Sequence, residues 1–245
     1  MSLKTYRVRL YLVRHAESEG NFISNIIRGR DVSSPLTSLG LQQSTLLGKR
    51  FMYEKIKFDY MLSSTAIRTI QTATTALETM NLDVSKLVIT PELLEQSQGQ
   101  WEGLDRKSPH ILEAIDEMRR LQTEFCAPEG ESLRMVQKRA ITYLEPHIER
   151  AKEQSIIENR EISLVIFTHG GLLQSVLQYY LQSKLCDAWL IQQHNTAINE
   201  ILLNENGVSL VKVNDYGHLL FSIPELPTAS SSAADPNEEQ KKTCT

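Results

Sequence analysis

Short runs of apolar residues alternate along the chain with longer segments in which apolar positions recur at helical spacing. A short apolar run bounded by turn-forming residues predicts a buried strand, whereas apolar residues three or four positions apart predict an amphipathic helix. We predict strands over residues 7–13, 58–62, 87–90, 162–168, 197–203 and 208–213. We predict helices over about residues 37–53, after residue 64, and over 111–123, 132–154 and 172–181. This alternation is typical of an α/β sheet with helices on its faces.

Local signals at the helix ends refine this assignment. Thr37 and Ser132 precede predicted helices and have side chains suited to N-caps. Either Ser63 or Ser64 is a candidate cap for the helix that follows the second strand. Because proline lacks a backbone donor, Pro146 is expected to interrupt or bend the long helix that Ser132 begins.

The composition of the chain changes after residue 223. Strand and helix signals run up to that point, and we predict a single domain over residues 1–223. Residues 98–130 are less regular than the rest and form a candidate insertion. Residues 224–245 are rich in serine, proline and charged residues and have almost nothing to bury, which predicts a disordered tail.

Composition excludes several classes of protein. Hydrophobic residues make up 41% of the chain and charged residues 23%, as in ordinary globular proteins. The formal net charge of −4 argues against nucleic acid or an anionic membrane as the main partner, although clustered arginines can still form a cationic pocket. Three cysteines without CxxC spacing indicate reduced thiols. Residues 162–183 include no Asp, Glu, Lys or Arg, but they contain too many polar groups for a membrane span. No targeting segment is visible either, so we predict a cytoplasmic protein.

Ionisable residues follow two of the predicted strands directly. Arg14 and His15 follow the first strand, His169 follows the strand over residues 162–168, and Arg68 lies early in a predicted helix. In open α/β sheets, ligands bind beyond the carboxyl ends of strands, where helix N-termini attract anions. Arginines add charge-assisted hydrogen bonds to phosphate oxygens. These residues therefore predict a phosphate pocket.

Six segments of the chain, in order, resemble the signature of the histidine phosphatase superfamily, also called the phosphoglycerate-mutase-like family. They are LVRHAES at residues 12–18, PLTSLG at 35–40, SSTAIRTIQTA at 63–73, EQSQGQWEG at 95–103, GES at 130–132 and THG at 168–170. The resemblance implies a three-layer α/β/α fold with a mostly parallel central sheet. Two positions depart from the pattern: Ala16 stands where glycine is usual, and Ser33 where aspartate is typical. Neither departure changes the charges of the site.

The resemblance implies a role for each of several residues. His15 is the expected nucleophile that forms a phosphohistidine, and Glu95 is the expected proton donor. Arg14, Arg68 and a protonated His169 are expected to stabilise the transition state. The expected catalytic residues are His15, Glu95, His169, Arg14 and Arg68, and the expected phosphate ligands are Arg14, Asn21, Arg68, His169 and Gly170. We expect neither a metal nor a cofactor, since the chain has no metal-binding motif.

The expected activity is hydrolysis of a small phosphorylated metabolite, of the sugar phosphate or phosphoglycerate type. The segment over residues 98–130 is expected to roof the pocket and select the substrate, and Arg28 and Arg106 are candidate substrate contacts. The first alternative is a cofactor-dependent phosphoglycerate mutase. The WEG form of the acid-bearing loop favours the phosphatase branch, and so does the short separation in sequence between Glu95 and His169. The second alternative is an inactive member of the fold that binds a phosphate ligand or acts as a scaffold. The sequence leaves the exact substrate and the oligomeric state open.

Overall fold

The computed structural model describes residues 5–22 and 25–221. The strands in this part of the chain are β1 (Arg7–Arg14), β2 (Tyr60–Ser64), β3 (Leu87–Thr90), β4 (Ile162–Thr168), β5 (Ile198–Asn204) and β6 (Gly207–Asp215). The α-helices are α1 (Ser38–Tyr53), α2 (Ile67–Thr79), α3 (Pro109–Glu113), α4 (Ile115–Leu121), α5 (Leu133–Glu158) and α6 (Gly170–Leu181). The tail predicted over residues 224–245 lies outside the described residues. No helix among the described residues is long and apolar enough to cross a membrane.

The strands form one sheet in the order β3-β2-β4-β1-β5-β6. Strands β1 to β4 are parallel to one another, whereas β5 pairs antiparallel with β1 and β6 pairs antiparallel with β5. The register of the central pair aligns Arg14 with Thr168. Because these two strands end together, the residues that follow them, His15 and His169, leave the sheet side by side.

Alternating side chains of β1 supply the cores on both faces of the sheet, as the two-residue period of a strand requires. Leu10 and Leu12 belong to a core formed with residues of α5 and α6. Tyr11 and Val13 belong to a second core, formed with residues of α1 and α2. The sheet is therefore covered by helices on both faces, which confirms the expected three-layer α/β/α architecture with a mostly parallel sheet.

Two of the predicted helix caps are confirmed. The hydroxyl of Thr37 accepts a hydrogen bond from the backbone N–H of Gly40 at 2.9 Å, and that of Ser132 accepts one from Met135 at 3.2 Å. Helix α5 continues without interruption through Pro146 to Glu158, so it is longer than predicted.

The predicted cap of α2 is wrong. This helix follows Ala66, and no side chain caps its first turn. The hydroxyl of Ser64 instead forms a hydrogen bond with Nε2 of His169 at 2.9 Å, because β2 and β4 are neighbours in the sheet.

The single helix predicted over residues 111–123 is also wrong, since the structure has two short helices there. Helix α3 begins earlier than expected, at Pro109, whose fixed φ suits the first helical position. Helix α4 ends before Gln122, which has a positive φ of 48° that a continuing helix does not allow.

Candidate active site

The two histidines that follow β1 and β4 lie against each other at the carboxyl edge of the sheet. Their ring centroids are 5.3 Å apart with an edge-to-face geometry. Both side chains are buried. The backbone N–H of His15 donates to the carbonyl of Thr168 at 2.9 Å, so the two strand ends are held in register up to the histidines.

The guanidinium of Arg68 connects the two rings. Its Nε donates to Nε2 of His15 at 3.3 Å, and its Nη2 donates to Nδ1 of His169 at 3.1 Å. A third group, Nη1, donates to the backbone carbonyl of Asp31. Since a guanidinium has donors only, each ring nitrogen that faces Arg68 must be an unprotonated acceptor.

The tautomer of each histidine is assigned from its hydrogen bonds. In each ring, the nitrogen that does not face Arg68 carries the proton. Nδ1 of His15 lies 2.7 Å from the carbonyl oxygen of Ala16 and donates to it. Nε2 of His169 lies 2.9 Å from the hydroxyl of Ser64, to which it donates. His15 therefore carries its lone pair on Nε2, the nitrogen beside Arg68.

Both imidazoles are held neutral. Burial, followed by the charges of Arg14 and Arg68, holds the pKa of His15 well below its ordinary value. Burial, followed by the charge of Arg68, does the same to the pKa of His169. The expected protonated His169 is therefore not the form that this arrangement favours, because two arginines stand close to a ring removed from water.

Arg14 presents a buried donor next to the start of α6. Its Nη1 donates to the carbonyl of Gln193 at 2.6 Å, but its Nε is buried without a hydrogen-bond partner in the described part of the chain. A Cβ placed at Gly170 would lie 3.6 Å from that Nε, so the arginine packs closely against the first turn of the helix. A buried N–H donor beside a helix N-terminus suits an anion.

Glu95 lies at the same helix N-terminus. Its Oε2 accepts a hydrogen bond from the backbone N–H of Gly171 at 3.0 Å, and its Oε1 accepts one from Leu172 at 3.1 Å. A third backbone N–H, that of Gln96, donates to Oε1 at 3.0 Å. A carboxylate at this place interacts favourably with the helix dipole.

A network of charged residues that sequence reasoning missed holds the loop before Glu95. Arg139, on α5, donates to the backbone carbonyls of Glu92 at 2.6 Å and Leu94 at 3.0 Å. The same guanidinium contacts both carboxylate oxygens of Glu131 at 3.1 Å. No local pattern marks Arg139, because its partners are 8 to 47 residues away in sequence.

Arg30 joins this network from the opposite side. Its Nη2 lies 2.7 Å from Oε2 of Glu131, and its Nε donates to the backbone carbonyl of Glu95 at 3.1 Å. The acid-bearing residue is thus fixed through its backbone as well as through its carboxylate. The GES segment supplies Glu131, so that part of the network falls within a segment recognised from the sequence.

A cavity of about 1000 Å³ opens onto this group of residues. The expected site residues that line it are Arg14, His15, Asn21, Arg28, Arg68, Glu95 and Arg106. His169 and Gly170 do not line it, and His169 contacts two residues that do, Arg68 and His15. The Oδ1 of Asn21 accepts from the backbone N–H of Ser18 at 2.9 Å, which orients the amide.

Asn195 holds the backbone at the first histidine. Its Nδ2 donates to the backbone carbonyl of His15 at 2.9 Å. The following residue, Thr196, has a positive φ of 56°, and its backbone N–H donates to the carbonyl of Arg14 at 3.1 Å. This turn thereby holds the backbone of the Arg14-His15 pair. Among residues 5–22 and 25–221, no three His, Cys, Asp or Glu side chains are grouped so that they could hold a metal ion.

Comparison with known proteins agrees with this fold. Residues 10–216 match the model of the histidine phosphatase superfamily (branch 1), so the chain belongs to this family. A putative phosphoserine phosphatase 2 of Hydrogenobacter thermophilus is 29% identical over 86% of this chain and 97% of its own length. A 2,3-bisphosphoglycerate-dependent phosphoglycerate mutase of Rhizobium etli is 27% identical over 77% of this chain and 87% of its own length.

The solved structures support the fold independently. A mycobacterial glucosyl-3-phosphoglycerate phosphatase superposes with a TM-score of 0.69 at 19% identity, covering 86% of this chain and 99% of its own. The enzyme class expected from the sequence, a phosphoric monoester hydrolase of the histidine phosphatase family, is confirmed by the family match and the related phosphatases.

Proposed function

We propose that the chain hydrolyses phosphate monoesters of small metabolites through a phosphohistidine formed on Nε2 of His15. The observation that carries the proposal is the tautomer of this ring: Nδ1 donates to the carbonyl of Ala16, which leaves the lone pair on Nε2. His15 lines the cavity, and its lowered pKa keeps the nitrogen nucleophilic near neutral pH.

In the first half-reaction, Nε2 of His15 attacks phosphorus and the bond from phosphorus to the ester oxygen breaks. The leaving oxygen takes a proton from the carboxyl group of Glu95. The resulting carboxylate is held by the three backbone N–H groups that contact it in the structure. In the second half-reaction, Glu95 takes a proton from water as the water oxygen attacks phosphorus, and His15 is released.

Cationic and amide groups around the phosphoryl position supply the electrostatic stabilisation. Arg14 and Arg68 carry the charges, Nε of Arg14 is a buried donor without a partner among the described residues, and Asn21 adds an amide. His169 is neutral before binding, and a phosphate dianion beside Arg68 would favour its protonated form. The proposed cycle uses no metal or cofactor.

The test is phosphate release from a panel of sugar phosphates, phosphoserine and phosphoglycerates in the presence of EDTA. We expect release from the wild type and a loss of at least about 1000-fold in kcat for His15→Ala. The matched control is His110→Ala, which removes an exposed histidine outside the cavity and should retain full activity. Rapid quenching should also trap a phosphoenzyme that is labile in acid and stable in base, and His15→Ala should not form it.

Other outcomes would overturn the proposal. Conversion of 3-phosphoglycerate to its 2-phospho isomer in the presence of 2,3-bisphosphoglycerate, without net phosphate release, would assign the mutase activity of the related phosphoglycerate mutases. Absence of both reactions, with phosphate still bound, would indicate an inactive binding member of the fold.

A further inference from the structure

Apolar side chains form a large part of the cavity lining. Six of them come from the loop after β1 and from the segment between Glu95 and α5: Ile27, Trp101, Ile111, Ile115, Met118 and Phe125. A cavity of about 1000 Å³ is at the upper end of the roughly 300–1000 Å³ that drug-sized ligands occupy. A phosphoryl group fills only a small part of such a space.

One half of this apolar wall is rigid. Ile27, Trp101 and Ile111 are buried together in a small core that also includes Ala127. The rings of Trp101 and Phe125 pack with their centroids 5.4 Å apart. These contacts hold the wall in place independently of any ligand.

The other half of the wall is an accessible apolar stripe. It is formed by Ile115 and Met118, which lie three residues apart on α4, the spacing that places side chains on one face of a helix. Met118 keeps 37% of its surface exposed, so the protein itself does not cover this stripe.

The charges of α4 lie away from the stripe. Asp116 and Arg119 are highly exposed and pair with each other at 3.2 Å, and neither lines the cavity. The charged residues that line the cavity are Arg14, Arg68 and Glu95 around His15, Arg28 and Asp31 in the loop after β1, and Arg106 before α3. Arg28 and Asp31 pair at 3.5 Å. The side chains that α3 and α4 themselves contribute to the cavity are all apolar.

We infer that the preferred substrate is a phosphate monoester whose alcohol carries an apolar body, comparable in size to a hexyl or naphthyl group. This inference rests on the proposed function, because it assigns the leaving group of the same reaction. The apolar stripe and the catalytic histidine line one continuous cavity, so a leaving group attached to the phosphoryl group extends toward the stripe. It differs from the sequence-based expectation of a sugar phosphate or phosphoglycerate, whose polar leaving groups would find no hydrogen-bond partner on the side chains of Ile115 and Met118.

The test is a series of n-alkyl phosphates from ethyl to octyl, whose leaving groups have nearly the same reactivity. Each methylene buried against the stripe should raise kcat/KM about threefold to fourfold, so hexyl phosphate should exceed ethyl phosphate on the order of 100-fold. Phosphoserine and 3-phosphoglycerate should fall near the ethyl ester. A flat or declining series, or a tenfold preference for either polar ester over hexyl phosphate, would overturn the inference.

Two variants locate the effect. Met118→Gln and Ile115→Gln should reduce the ratio of kcat/KM for hexyl and ethyl phosphate at least tenfold. The control is Leu112→Gln, which alters an exposed leucine of α3 that does not line the cavity and should keep the wild-type ratio. An unchanged ratio in Met118→Gln, whose exposed position tolerates a polar residue, would contradict the assignment of the stripe.

The two proposals fail in different ways. If every ester is inert and no phosphoenzyme forms, the proposed function itself is wrong. If short and polar esters are hydrolysed through a phosphohistidine but the alkyl series is flat, only the inference about the leaving group is wrong.

Discussion

Replacing Gly171 by alanine tests the role of Glu95 without changing any ionisable group. Gly171 lies in the first turn of α6, and its backbone N–H donates to Oε2 of Glu95 at 3.0 Å. A Cβ at this position would lie 2.7 Å from Oε1 and 3.3 Å from Cδ of Glu95. Because the backbone is helical there, alanine fits the main chain and the conflict is confined to the carboxyl group.

The size of the effect follows from this distance. Ordinary contact begins at 3.4 Å, so the carboxyl oxygen has to move by about 0.7 Å. A displacement of about 1 Å in a reacting group reduces the rate about 100-fold. We therefore expect kcat for an alkyl phosphate to fall about 30- to 100-fold, equivalent to about 2–3 kcal/mol in the activation free energy.

The assay compares an alkyl phosphate with p-nitrophenyl phosphate under single-turnover conditions. The nitrophenolate departs without a proton. Gly171→Ala should therefore slow phosphoenzyme formation from this ester far less than it slows phosphoenzyme formation from the alkyl ester. In a double-mutant cycle, the losses of activity caused by Gly171→Ala and by Glu95→Gln should be strongly non-additive, since both substitutions act on one carboxyl group.

Equal losses on the two esters would refute the reasoning, because they would indicate a general disturbance of the site. Additive losses in the cycle would refute it as well, because Gly171→Ala would then act through another group. The free energy of unfolding of Gly171→Ala should be measured alongside. We expect a folded variant, because alanine is more favourable than glycine in a helix by up to about 1 kcal/mol.

Three further results are expected. Arg139→Met should lower the free energy of unfolding in urea by about 1–3 kcal/mol, because the carbonyls of Glu92 and Leu94 lose their donor while Glu131 keeps its pairing with Arg30, and an unchanged value would contradict the network. Binding of sulfate, which remains a dianion near neutral pH, should take up a proton and tighten as the pH falls, since the pKa of His169 rises from its lowered value; calorimetry in buffers of different ionisation enthalpy measures this, and proton release would contradict it. Burial lowers the pKa of His218 to about 4, so the unfolded state binds more protons below about pH 6.5. Between pH 7 and 5 the wild type should therefore lose about 2 kcal/mol more stability than His218→Gln, beyond the losses that His15 and His169 cause in both proteins.

The sequence was sufficient for the placement of the two histidines. Each follows an apolar run that can only be a buried strand, and parallel strands end at the same edge of a sheet. The sequence does not predict the role of Ser64. Its position favours a helix cap, but its hydroxyl contacts His169, which is 105 positions away in sequence. Arg139 was missed for the same reason, because its contacts depend on how α5 packs against a distant loop.

The protonation states of the histidines could not be predicted either. The sequence places arginines near both rings, but it does not show that both rings are withdrawn from water. Burial is the first cause of the lowered pKa in each case, and it depends on the complete tertiary structure. The apolar character of residues 111, 115 and 118 is visible in the sequence, whereas their position in the wall of the His15 cavity is visible only in the structure.

His15 and His169 have similar surroundings in the sequence, and Arg68 is what makes them different. Its guanidinium donates to Nε2 of one ring and Nδ1 of the other, and a third donor binds the carbonyl of Asp31. A lysine ammonium is a point charge without this planar fork and would not fix the two rings in one geometry. Opposite nitrogens of the two rings face Arg68. His15 lines the cavity, whereas His169 does not. The arrangement therefore supports nucleophilic attack by His15 alone and leaves His169 to adjust the charge next to Arg68.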